Sequence, residues 1–182
     1  MPVPPVLTVL TYAVGLASLV MGFFVLDLGD QYAWDEVGML LAVHVVAYGA
    51  LRLVQSADAR GSSLRSVLLM TSGVLAVVLA ALTWGTPDDA WPVYLYWLID
   101  GAIGVVTALR GEAGPRRALE LPVSLAASAI GAVALVLIVR DWDANVGPVS
   151  VTLGFWLLVL GVALLVLGRM GSLERGRTDA ET

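Results

Sequence analysis

The sequence contains no cysteine, no lysine and a single histidine. Without thiols there is neither a disulfide framework nor a thiolate metal site, and one imidazole cannot make a histidine-cluster zinc site. Catalytic signatures are missing as well: there is no Gly-x-Ser-x-Gly elbow, no pair of intramembrane aspartates, no His-Glu-x-x-His and no phosphate-cradling glycine loop. The usual nucleophile and base pairs are thereby largely excluded. We expect no enzyme, no cofactor, no resident metal and no nucleic-acid partner. Charge is scarce too, at 14% of residues, whereas 59% are hydrophobic. That is far more apolar surface than a soluble core can bury, so the natural solvent of this chain is lipid.

What is present is a series of apolar runs of about 20 residues, the length that crosses a bilayer core at 1.5 Å per residue. They predict an all-α, polytopic membrane protein with helices over about Val6–Leu28, Trp34–Leu53, Leu64–Trp84, Trp91–Leu109, Leu119–Val139 and Val146–Leu167. These six spans form one transmembrane domain over residues 1–171. The segment Ser172–Thr182 has only Leu173 and Ala180 as apolar residues and reads as a short disordered tail. The first run exceeds a signal-peptide core and follows no basic residue, so it reads as an uncleaved helix. Pro92, Pro122 and Pro148 fall in first turns of these predicted helices, where a missing N–H costs little.

Arginine placement gives the expected orientation. Arg52, Arg60 and Arg65 surround the second connection, Arg110, Arg116 and Arg117 the fourth, and Arg169, Arg175 and Arg177 follow the sixth helix; only Arg140 lies opposite. The positive-inside rule then puts both termini in the cytoplasm. The other connections are acidic, with Asp27, Asp30, Asp35 and Glu36 in the first, Asp88 and Asp89 in the second, and Asp141 and Asp143 in the third. Trp34, Trp84, Trp91 and Trp142 cluster on that same side, where indoles suit the headgroup layer. Those carboxylates lack any EF-hand spacing and read as solvated loops. The all-arginine basic set, with abundant Ala, Gly, Val and Leu, fits a GC-rich bacterial genome, so the expected location is a bacterial inner membrane.

The spans also read as three hairpin repeats. The first helix of each carries small residues seven apart: Gly15 and Gly22, Gly73 and Ala80, Ser124 and Gly131. Seven residues is nearly two helical turns, so each pair lines one face and lets a neighbouring backbone approach. The returning helices carry Gly49, Gly104 and Gly161 in corresponding places.

Two ionisable residues fall deep inside the predicted spans. His44 is ten residues beyond Trp34 and Asp100 nine beyond Trp91, on helices that run the same way, so the two are expected at nearly equal depth. An aspartate there costs roughly 2.5–3.5 kcal/mol on insertion scales, so a protonated or partnered carboxyl is expected. Tyr48 and Gln55 share the stripe of His44, with Arg52 at its edge, and Tyr96, Gly104 and Thr107 share that of Asp100. Facing each other, these stripes make a polar seam around a His44–Asp100 pair. Three readings stand beside one another: interhelical glue, proton sensing or transfer, and a small polar ligand site.

The hairpin pattern resembles the HdeD-like family of bacterial membrane proteins, built from short repeats of a domain of unknown function. The residues that carry the likeness are LRSVLLMTSGVLAVVLA (Leu64 to Ala80), a turn containing Pro87, and LIDGAIGVVTALR (Leu98 to Arg110). The outer hairpins follow more loosely, and the first lacks a turn proline. The resemblance implies a six-helix inner-membrane protein linked to acid or envelope stress, and it brings no catalytic residues. The expected function is therefore that of a non-enzymatic, HdeD-like protein. Two alternatives are a small proton-coupled transporter or channel built on His44 and Asp100, and a membrane scaffold for a protein partner. Membrane lipids are the expected neighbours, with a homo-oligomer or another membrane protein as the further partner class.

Overall fold

In lipid a backbone N–H or C=O has no water to turn to, so a crossing segment must satisfy its own hydrogen bonds as a helix. The computed structural model describes residues 5–28, 34–59, 63–85, 91–110, 114–140 and 142–180, and every one of these stretches is helical apart from short ends. The helices are α1 (Pro5–Leu28), α2 (Trp34–Asp58), α3 (Ser63–Gly85), α4 (Trp91–Arg110), α5 (Pro115–Arg140) and α6 (Trp142–Ala180). All six are long and apolar enough to cross a membrane, and no strand occurs among the described residues. The acidic residues Asp30, Asp88, Asp89 and Asp141, together with Arg60 and Pro87, lie outside the described residues. So do the side chains of Trp34, Asp35, Glu36, Trp142, Asp143, Arg175 and Arg177.

Three helices differ from the hydropathy reading at their ends. Helix α2 runs on to Asp58, which leaves Arg52 inside the helix and not at its close. Helix α5 begins at Pro115, so Pro122 sits in the helix interior instead of the first turn. The cause is a polar first turn, Pro115–Ala118, that hydropathy does not count but that a proline-initiated helix readily includes. Helix α6 likewise starts before Pro148, and it continues to Ala180 through the stretch expected as a disordered tail. Propagation from an existing helix costs far less than nucleation, and Leu173, Glu174, Arg175 and Arg177 are good helix formers.

The outer surface is apolar. Val9, Leu16, Val20, Phe23, Val67, Val78, Val136, Phe155 and Val162 are all exposed, while His44, Ser18, Ser72 and Asp100 are buried. This inverts the distribution of a water-soluble protein and is what a lipid-facing bundle presents.

The helices form a closed ring in chain order, with α1 packed against α6. Interfaces alternate in closeness: α1 with α6, α2 with α3 and α4 with α5 pack extensively, and the intervening neighbours less so. Glycines explain the close set. A Cβ on Gly22 would lie 2.9 Å from the Gly154 carbonyl oxygen, and one on Gly15 would lie 3.2 Å from that of Gly161. Gly73 would meet the Gly49 carbonyl at 2.9 Å, Gly101 the Ser124 carbonyl at 2.7 Å, and Gly131 the Tyr94 carbonyl at 2.7 Å. In each case the obstacle is backbone, which cannot swing aside. Across the ring, only α2 and α4 bring their backbones close among the described residues. That single crossing places the polar residues described next.

Candidate functional site

Asp100 is 2% exposed, on the face of α4 that Tyr96 and Gly104 share at i−4 and i+4. Its partner is Arg52. The guanidinium donates from Nε to Oδ1 at 2.8 Å and from Nη2 to Oδ2 at 2.8 Å, the two-point fork that suits a carboxylate. Ser72 of α3 donates from Oγ to the same Oδ1 at 2.5 Å. With its one proton so engaged, Ser72 can only accept from the Tyr96 hydroxyl, 3.5 Å away. Arg52 also donates from Nη1 to Oε1 of Gln55 at 3.2 Å and lies 4.9 Å from the centroid of the Tyr48 ring. Three helices thus converge on one carboxylate, whose lone pairs are well used.

Burying two charges is costly, and mutual attraction offsets that cost only when geometry is good and remaining valences are filled. The two-point geometry meets the first condition, and Ser72 and Gln55 fill further valences of the pair.

The sequence reading pairs Asp100 with His44; in the structure no hydrogen bond joins them. His44 is also on α2 but eight residues before Arg52, about 12 Å along the axis. Its Nε2 lies 3.4 Å from Ser18 Oγ of α1, and its ring centroid is 6.2 Å from that of Trp97. Ser18 donates its own proton to the Val14 carbonyl at 2.8 Å, so its oxygen serves as acceptor for a His44 Nε2–H. His44 Nδ1 then has a bare lone pair with no hydrogen-bond partner.

Of the predicted seam, Tyr48, Arg52, Tyr96 and Asp100 come together. Thr107 lines the same cavity as Tyr48 and Arg52, but its hydroxyl bonds the Gly104 carbonyl of its own helix at 2.9 Å. Ser72, Ser18 and Trp97 belong to the site although sequence reasoning passed them over. The usable signal for Ser72 was its place beside Gly73, on a seam where backbones approach closely.

Between the His44 and Arg52 levels the bundle axis is filled by aromatic rings. Trp97 contacts Tyr48 at 5.2 Å, Tyr96 at 5.3 Å and Trp156 at 6.0 Å between centroids. Offset and edge-on arrangements of this kind pack tightly. The indole N–H groups of Trp97 and Trp156 have no hydrogen-bond acceptor, an unusual cost inside a bundle.

On the Arg52 side of these rings lies a small vestibule of about 40 Å³, part of which is open to the outside. Tyr48, Arg52 and Gln55 contribute one stripe from α2. Leu160, Ala163, Leu164 and Leu167 contribute an apolar stripe from α6 at the same helical spacing. Arg65, Thr107 and Glu120 complete the polar lining. The vestibule exists because α2 and α6 do not pack against each other. No known protein family, curated protein or solved structure matches the chain.

Proposed function

We propose that this chain is a non-enzymatic, multi-pass protein of a bacterial inner membrane, of the HdeD-like kind, acting in acid or envelope stress. In this reading the termini and the vestibule face the cytoplasm, and the six helices are three hairpin repeats. The register of the close contacts supports the repeat: Gly15 meets Gly161, Gly73 meets Gly49, and Ser124 meets Gly104. Each pair joins the first helix of one hairpin to the returning helix of the one before it, taken cyclically. Charge segregation supports the orientation. Because the chain has no native cysteine, single cysteines can map it directly. A cysteine replacing Arg116 is expected to react with an impermeant maleimide only after cells are opened, and labelling in intact cells would reverse the orientation.

The observation that carries the functional reading is the two-point Arg52–Asp100 pair with Ser72 on the same carboxylate. A carboxylate committed to a guanidinium is a clamp between helices and a poor proton carrier. His44, in turn, faces the Ser18 hydroxyl and the Trp97 indole, and among the described residues no carboxylate is bonded to it. The network therefore serves assembly. In proteoliposomes, Asp100→Asn is expected to lower stability without removing any proton flux. A flux present in the native protein and abolished by that change would instead establish the relay. A strain lacking the protein should lose survival under acid or envelope stress, and an unchanged survival curve would count against the stress role.

A further inference from the structure

Asp100 is held across a boundary between helix pairs, and the chain ties those pairs together at one end only. Three observations show this. First, the closest packing falls within three pairs: α6 with α1, α2 with α3, and α4 with α5. The glycine contacts lie inside them, Gly22 against Gly154 and Gly15 against Gly161, Gly73 against Gly49, and Gly131 against Tyr94. Backbones in such contact cannot part without losing dispersion along the whole seam, so each pair behaves as one rigid body. The boundaries between pairs, α1 with α2, α3 with α4 and α5 with α6, are packed less extensively.

Second, the connectivity is one-sided. The chain passes from pair to pair between Leu28 and Trp34, between Gly85 and Trp91, and between Arg140 and Trp142. All three passages belong to the same end of the bundle. At the other end, the passages from Asp58 to Ser63 and from Arg110 to Pro115 stay within a pair. Arg52 is six residues before Asp58, toward the end where no chain joins one pair to another. Third, Asp100 of the α4–α5 pair takes its bonds from the α2–α3 pair, two from Arg52 at 2.8 Å and one from Ser72 at 2.5 Å. The α6–α1 pair presents apolar side chains to the vestibule beside them, Leu160, Ala163, Leu164 and Leu167. On the other side of the ion pair, Trp97 of α4 meets Tyr48 of α2 and Trp156 of α6, so ring contacts join all three pairs there.

We propose that the bundle opens at its Arg52 end by rocking of the three helix pairs about the rings around Trp97, with the bonds from Arg52 and Ser72 to Asp100 as the latch that holds it shut. Such hinge and shear motion of packed helices is a common route between two states. Opening breaks no chain link and no glycine contact. It costs the bonds to Asp100 and widens a vestibule that is already partly open, where water reaches the separated charges and offsets part of the loss. The inference goes beyond the assembly role of the network, and it is independent of the stress role and of the orientation of the chain.

The chain has no native cysteine, so labels report only from where they are placed. Spin labels on Leu64→Cys and Ala118→Cys, at the Arg52 end of the two latched pairs, are to be measured by double electron–electron resonance on the full chain in lipid nanodiscs. Labels on Trp84→Cys and Val139→Cys report the far end of the same pairs, and labels on Val43→Cys and Leu64→Cys report within one pair; all of these positions are exposed. With Arg52→Gln and Asp100→Asn together, which leaves no buried charge unpaired, the first distance should gain a population longer by about 5 Å, the scale of one helical turn, while the other two hold. No change at the Arg52 end, or equal lengthening in all three, would overturn the proposal.

A second measurement leaves the ion pair intact. Ala163→Cys, in the vestibule lining, and Ala134→Cys, on α5 outside it, replace residues that are both 4% exposed, and a water-soluble maleimide is too large for a vestibule of about 40 Å³. Opening should make the first react faster than the second, and Ser72→Ala, which removes one latch bond, should raise the first rate alone by roughly 3- to 10-fold. Equal rates at the two sites, or a rate at Ala163→Cys that Ser72→Ala leaves unchanged, would overturn the proposal even where the double variant fails to fold.

Discussion

The seam between α1 and α6 and the crossing between α2 and α4 hold helices together in the same solvent by opposite means. Along the seam, Gly15, Gly22, Gly154 and Gly161 bring two backbones so close that no side chain fits between them. The attraction there is dispersion, spread over many atoms and tolerant of no added volume. At the crossing a handful of polar atoms does the holding. The contrast teaches that a bundle in lipid can be sealed by shape or by charge.

The sharpest way to break the comparison is to remove one charge. Asp100→Ala leaves Arg52 buried and unpaired and is expected to cost about 3–5 kcal/mol, read from reversible unfolding in mixed micelles. A loss below about 1 kcal/mol would mean the pair is solvated. Next in size is added volume on the shape-sealed side. Gly101→Leu, where even a Cβ collides with the Ser128 backbone nitrogen, and Gly22→Leu should each cost about 1–3 kcal/mol. Gly114→Ala, with nothing near it, should cost almost nothing in the same assay. Equal losses at all three sites would show that packing depth plays no part. Removing both charges together, as Arg52→Met with Asp100→Leu, should leave stability within about 1 kcal/mol of native, since the desolvation cost disappears with the attraction. Smallest among the changes to a contact is Ser18→Ala. Its contact to His44 is long at 3.4 Å, so the loss should be near 0.6 kcal/mol, typical of polar contacts between membrane helices.

Much of the fold was legible beforehand, and the reasons can be traced to particular residues. The apolar run from Leu64 to Trp84 matches α3 (Ser63–Gly85) to within a residue at each end, because lipid length and backbone satisfaction are both local constraints. The seven-residue spacing of Gly15 and Gly22 announced a seam, and the structure puts α6 on it. The site was only half legible. Asp100 stood out by depth, and Tyr48 and Tyr96 by shared stripes. Arg52 was visible too, at the edge of the seam, but as the partner of Asp100 it was overlooked: it also read as an orientation signal at a helix end, because nothing in the chain said that α2 would continue to Asp58. Ser72 carried no signal of its own beyond the glycine beside it.

Residue by residue, the chain alone determined that there are six long apolar helices and which of their faces are smooth enough for close approach. Those properties depend on neighbours within two turns, and short-range chemistry settles them. Only the tertiary structure decided that Asp100 meets Arg52 while His44 turns to Ser18, and that α2 and α6 part to leave a vestibule. Such choices depend on how far each helix slides and turns against the next. A shift of one turn, about 5.4 Å, exchanges every partner across an interface without altering a single helix.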